Sequence, residues 1–174
     1  GGGSNLHVVS RDGGPSRQVA DLGADAAEPC FSTEGAHIVF STHQGDSSQI
    51  AMVPFSGGWV IGLTFSEEEC TSPVWSPDGA RVVYSASPQH GRRQNDLYSL
   101  TVGVNGAHGA PQRLTPDDNV ECWSPAFSPD GARMALLSNR SGFDELWLMA
   151  SDGTRLTQLT QLGRDIEEFV WLAD

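Results

Sequence analysis

The stretch SPVWSPDGARVVYSA at residues 72–86 returns as SPAFSPDGARMALLS at 124–138, and a looser copy, EPCFSTEGAHIVFST, stands at 28–42. A clipped fourth copy, EFVWLAD, occupies 168–174. With Pro29, Pro73, Pro125 and Phe169 taken as equivalent, the spacings are 44, 52 and 44 residues, so the unit is about 44 residues long with one insertion. A period of roughly 20–50 residues marks solenoids and propellers, whose units bury their apolar faces only by stacking on one another.

Each unit resolves into four short strands. Strand a carries the aromatic in PCFS, PVWS, PAFS or FVWL. A type I turn on Ser-Pro-Asp-Gly follows, with Pro fixing φ and Gly closing the turn. Strand b is the β-branched run HIVFS, RVVYSA or RMALLS, suited to burial on both faces. Strand c alternates in QIAMVP, DLYSLT and ELWLMA, and strand d is the thinner VIGLT, QRLT or LTQLT. Before the first full unit, NLHVVSRDGG and SRQVADL read as another c and d, which makes fifteen strands in all. No segment holds a helical apolar face for more than a turn, and a β-sandwich needs no sequence repeat. The expected fold is therefore all-β, a β-propeller of four-stranded blades with roughly four blades in the chain. Residues 1–4 read as a linker or tag remnant, 5–22 as a partial blade, 28–64, 71–115 and 122–160 as blades, and 167–174 as the first strand of a further blade.

The signatures SPVWSPDGARVVYSA and SPAFSPDGARMALLSNRSGFDELWLMASDGTRLTQLT resemble the WD40-like Pro-Asp repeats of TolB-type propellers, a repeat also found in the propeller domains of prolyl-oligopeptidase-like peptidases. The resemblance runs over about residues 5 to 174 and is strongest in the second copy, while the copy at 28–64 lacks both Pro and Asp of the turn. It implies a binding or filtering role: partnership in an envelope system, with a periplasmic location, or gating of access to a separate catalytic domain.

Charge narrows the partners. The net charge is −12 with a pI near 4.6, and all 10 basic residues are Arg, so a nucleic-acid partner is not expected, because phosphate binding needs a basic surface. No apolar run is long enough to insert in a membrane, and GGGSNLHVVS lacks the regions of a signal peptide. Cys30, Cys70 and Cys122 form no C-x-x-C pair and read as small buried hydrophobes. Cys70 and Cys122, each three residues before a repeat proline, could alternatively meet at a soft metal. His7, His37, His43, His90 and His108 lie far apart without zinc-ligand spacing, and no nucleophile elbow, dinucleotide fingerprint or P-loop occurs. Neither catalytic residues, nor a cofactor, nor a metal is expected. Asn139-Arg140-Ser141 matches a glycosylation sequon but reads as a loop between strands b and c.

One constellation recurs with the repeat. The connections from strand d to the next strand a hold Asp21, Asp25 and Glu28; Glu67, Glu68 and Glu69; Asp117, Asp118 and Glu121; and Asp165, Glu167 and Glu168, twelve of the chain's 22 acids. In a propeller these connections emerge on one face, so the expectation is an acidic rim that attracts a protein, a basic peptide or a cationic ligand. The insertion SPQHGRRQND at 87–96 falls on the same face, with His90, Arg92 and Arg93 as further contacts. Phe31, Trp75, Phe127 and Trp171 recur at one strand-a position and read as core between blades, as do Tyr84, Tyr98 and Trp147. The last residue, Asp174, aligns inside the turn that should lead to a strand b, and the chain starts at a strand c. Closure through a homo-oligomer, an irregular closing blade, or a longer parent propeller all follow as alternatives. The functional expectation is a non-enzymatic interaction module, with a substrate-gating or substrate-binding propeller of a hydrolase or lyase as the alternative.

Overall fold

Each repeat unit folds into one antiparallel sheet whose strand order follows the sequence. A computed structural model describes residues 5–45, 47–88, 95–116 and 118–172. A two-stranded ribbon of β1 (His7–Val8) and β2 (Arg17–Gln18) comes first. The first blade is β3 (Asp25–Phe31), β4 (His37–Gln44), β5 (Ser47–Pro54) and β6 (Ile61–Gly62); the second is β7 (Glu68–Trp75), β8 (Arg81–Pro88), β9 (Asp96–Gly103) and β10 (Gly106–Arg113). The third is β11 (Cys122–Phe127), β12 (Arg133–Ser138), β13 (Glu145–Ala150) and β14 (Thr157–Gln158). The described residues contain no helix, which bears out the all-β expectation.

Two polar devices explain why the repeat keeps its spelling. In the a-to-b turn, the Ser76 hydroxyl donates to Asp78 Oδ1 at 2.5 Å and accepts from the Arg81 N–H at 3.0 Å, and Ser128 does the same with Asp130 at 2.6 Å and Arg133 at 3.0 Å. At the other end, the Thr of each "LT" accepts the N–H of one equivalent residue of strand c. The Thr64, Thr115 and Thr160 hydroxyls take Ile50, Leu97 and Leu146 at 2.8, 3.2 and 2.9 Å. These bonds tie strand d to strand c where the ladder itself is only two residues long in the first and third blades.

Strand b is buried on both faces, as its apolar run requires. Ile38 and Phe40 of β4 face the ribbon while Val39 faces the second blade; Val82 and Tyr84 of β8 face the first blade while Val83 faces the third. Apolar clusters thus lie between blades rather than inside one sheet, and each blade depends on its neighbour for a core.

Three sequence expectations change. Fourteen strands are found among the described residues, because 169–172 make no ladder: no strand b stands beside them there. Trp171 instead donates its indole N–H to the Ala126 carbonyl of β11 at 3.0 Å. Strand a starts earlier than read, at Asp25, Glu68 and Cys122, so several acids assigned to connecting loops are the first residues of strands. The insertion is also distributed. The strand c to strand d bond spans 14 residues in the first and third blades and 18 in the second, so four of the eight extra residues lengthen the β9–β10 hairpin rather than the loop after β8.

Candidate functional site

Strand a of every blade carries the same irregularity. The ladder to strand b skips between Ala27 and Cys30, between Thr71 and Val74, and between Trp123 and Ala126, a β-bulge centred on Glu28-Pro29, Ser72-Pro73 and Ser124-Pro125. The residue before each proline has positive φ, 52° at Glu28, 52° at Ser72 and 51° at Ser124. Left-handed backbone is unfavourable for a side-chain-bearing residue, and its threefold recurrence shows that the fold imposes it.

These bulges face one another. They line an open trough of about 440 Å³ whose walls are residues 28–30, 72–74 and 124–126, the same position in three successive units, and 167–169, one residue earlier in the fourth. Each strand a is the edge of its sheet, so one backbone edge is left toward the trough. Proline there has no N–H to offer, so each edge lacks one donor at the trough.

Of the twelve acids expected at a rim, the structure brings three to this trough: Glu28, Glu167 and Glu168. Glu28 is occupied structurally. Its Oε2 accepts the Ser72 N–H at 2.7 Å and the Ser41 hydroxyl at 2.8 Å, and its Oε1 accepts the Ser72 hydroxyl at 3.0 Å, so it fastens the first blade to the second. Glu167 and Glu168 are exposed at the trough. Asp118 pairs with Arg140, whose guanidinium lies 5.8 Å above the Trp147 ring, and Asp165 accepts the Asp144 N–H at 3.0 Å. Glu68 lines a different cavity, between the first two blades. Glu121 is half-buried, its N–H donating to Asn139 Oδ1, while Asp21, Asp25, Glu67 and Glu69 are exposed. Asp117, His90, Arg92 and Arg93 lie outside the described residues.

Buried acids missed by the sequence reading shape the same end of the blades. Glu145 is 2% exposed; the Thr160 hydroxyl donates to Oε2, and the Leu162 and Gly163 N–H groups reach Oε1 at 2.6 and 3.0 Å, which holds its carboxyl below the usual range and fixes the connection leading to Glu167. In the second blade the buried Asp96 accepts the Thr115 hydroxyl at 2.8 Å and an Arg113 guanidinium N–H at 2.6 Å. The serines before the prolines were also missed as lining residues, although the repeat alignment that places Pro73 and Pro125 also places Ser72 and Ser124. Burial raises the Cys30, Cys70 and Cys122 thiols above their ordinary value, so they stay protonated.

No family model matches the sequence. The chain is similar to the Tol-Pal system protein TolB of Alcanivorax borkumensis, 28% identical over 122 residues that take in 64% of this chain and 24% of that protein. It is 30% identical over 129 residues to the protein TolB homolog of Chlorobaculum tepidum, 74% of this chain and 28% of the relative. The chain therefore spans about a quarter of the length of these curated relatives. Among solved structures, putative TolB from Agrobacterium tumefaciens superposes with a TM-score of 0.74 at 20% identity, covering 90% of this chain and 56% of that one. A Mycobacterium tuberculosis puromycin-hydrolyzing peptidase gives 0.68 at 13% identity over 91% of this chain and 27% of that one. An oligogalacturonate lyase in complex with manganese gives 0.68 at 16% over 95% and 44%. At such identities the structural likeness speaks for the propeller fold alone.

Proposed function

Because the chain is of the TolB-type β-propeller family, we propose that it is a non-enzymatic interaction module whose trough takes a basic segment of a protein or peptide. The observation that carries this reading is the open trough itself, where each of three edge strands lacks one N–H at its proline and Glu167 and Glu168 stand exposed beside them. Lys and Arg side chains supply donors and positive charge, and the net charge of −12 favours their approach. A periplasmic setting accords with the same family and is checked by fractionating the native host.

The test is fluorescence anisotropy with a labelled Arg- and Lys-rich peptide of about nine residues. Glu167→Gln/Glu168→Gln is expected to weaken binding by roughly three- to tenfold at low salt, with a shallower salt dependence. Equal binding of an acidic peptide, or a variant that binds like the parent, discards the reading.

A second reading, a substrate-gating or substrate-binding propeller of a hydrolase or lyase, draws on the superpositions with the peptidase and the lyase. Peptide hydrolysis by the purified full-length gene product, abolished by a serine-directed covalent inhibitor, is the result that favours it.

A further inference from the structure

Between the first and second blades lies a cavity of about 420 Å³, separate from the trough. Leu63 and Phe65 come from the exit of the first blade, Glu68 is the first residue of β7, Tyr84 and Tyr98 face each other on β8 and β9, and Pro111 closes the wall from β10. The lengthened β9–β10 hairpin makes that wall: its ladder slips between His108 and Gln112, and Gly109 and Pro111 of the slipped stretch line the cavity. Half of the eight-residue departure from the 44-residue period therefore stands where this space opens.

The lining has a definite chemistry. The Tyr84 and Tyr98 rings are stacked with centroids 6.0 Å apart and 22° between planes. The Phe65 ring is 87% exposed, so it stands at the opening rather than in the core. Burial, then the nearby Cys70, Glu68 and Tyr98, push the Tyr84 phenol well up, so the ring presents a neutral, electron-rich face beside the Glu68 carboxylate. No basic residue is among the described lining residues. Aromatic faces with one carboxylate attract a cation that also has an apolar surface, since the ring quadrupole and the charge act together while methyl groups fill the dry part.

The next interface shows what this place in the repeat holds. Trp147 stands at the position of Tyr98, and there the chain's own Arg140 guanidinium sits 5.8 Å over the ring and pairs with Asp118. The corner between blades is thus already used once for a cation held by an aromatic ring and a carboxylate.

We propose that the cavity between the first two blades binds a small organic cation of the alkylammonium class, its charge against Glu68 and its methyl groups against Phe65 and Tyr84. The volume lies within the range of small-molecule sites, roughly 300–1,000 Å³, and accommodates a trimethylammonium group with a short polar tail.

The experiment is calorimetric titration of the full chain with choline and with its neutral isostere 3,3-dimethylbutan-1-ol. Choline is expected to bind at least about tenfold tighter than the isostere. Glu68→Gln, which keeps the side chain's shape, and Phe65→Ala, which removes an exposed ring, are each expected to weaken choline by about threefold or more with melting temperature unchanged. Glu167→Gln/Glu168→Gln leaves choline binding as it was, which separates this site from the trough. Equal affinity for the two probes, or choline binding indifferent to Glu68→Gln, overturns the proposal. So does a more than tenfold gain in Arg92→Ala/Arg93→Ala, which shows an arginine of the chain itself in the cavity.

Discussion

Asp78 and Asp130 show how much of the a-to-b turn rests on the residues flanking its proline. The turn of the first blade has Thr33 and Glu34 where the others have Pro and Asp, yet Gly35 donates to the Ser32 carbonyl at 2.8 Å, the same length as Gly79 to Ser76 and Gly131 to Ser128. Ser and Gly at the ends set the turn, with glycine φ of 69°, 70° and 69° that only glycine adopts freely. The aspartates add a bond to the serine hydroxyl and one to the N–H two residues on, at 3.0 Å in both copies. The serine bond is the first cause that holds both carboxyls below their ordinary value. A carboxyl with a lowered folded-state value stabilises the fold above its unfolded value and loses that contribution as pH falls through the folded one. Melting curves for the parent and Asp78→Asn/Asp130→Asn should therefore differ most near neutrality and converge between about pH 4 and pH 2. A gap that stays constant over that range refutes this role for the two carboxylates.

At the scale of the element, the bulge in strand a divides what could be read from what could not. Period, strands b and c, and the "LT" of strand d follow from patterning, because each buries an apolar run or repeats a polar bond. The bulge was hidden because local rules point the other way: a residue before proline favours extended backbone, and neither Glu nor Ser is a usual left-handed residue. The packing of strand a from three blades around one trough overrides that preference. The site was therefore half legible: the repeat pointed to Glu28, Glu167 and Glu168, but nothing in a single sequence showed that Asp118 would be spent on Arg140 or that four inserted residues would enlarge a hairpin. Ser124 tests the bulge cleanly. Ser124→Val, β-branched at φ 51°, should lower stability by about 1–2 kcal/mol in urea titration, and Ser124→Gly should be neutral or better. Equal losses for the two would mean that the conformation carries no strain.

Across the whole molecule, apolar side chains remain uncovered past the third blade: Leu162 is 56% exposed, Val170 79% and Leu172 81%. Interior blades cover the matching surfaces with a neighbour, so the 174-residue chain on its own is expected to self-associate through them, opposed by the mutual repulsion of two bodies of charge −12. Sedimentation should show association that strengthens as salt screens that repulsion and that weakens in Val170→Glu/Leu172→Glu. A monomer at every salt and protein concentration argues against it. The sheet order has a mechanical counterpart. Strands of a blade are consecutive in the chain, so tension applied at the two ends loads the blades in series, like links rather than parallel straps. They can open one after another from a pulled end, each opening uncovering the core it shared with the next and releasing about 150 Å of extended chain per 44-residue link.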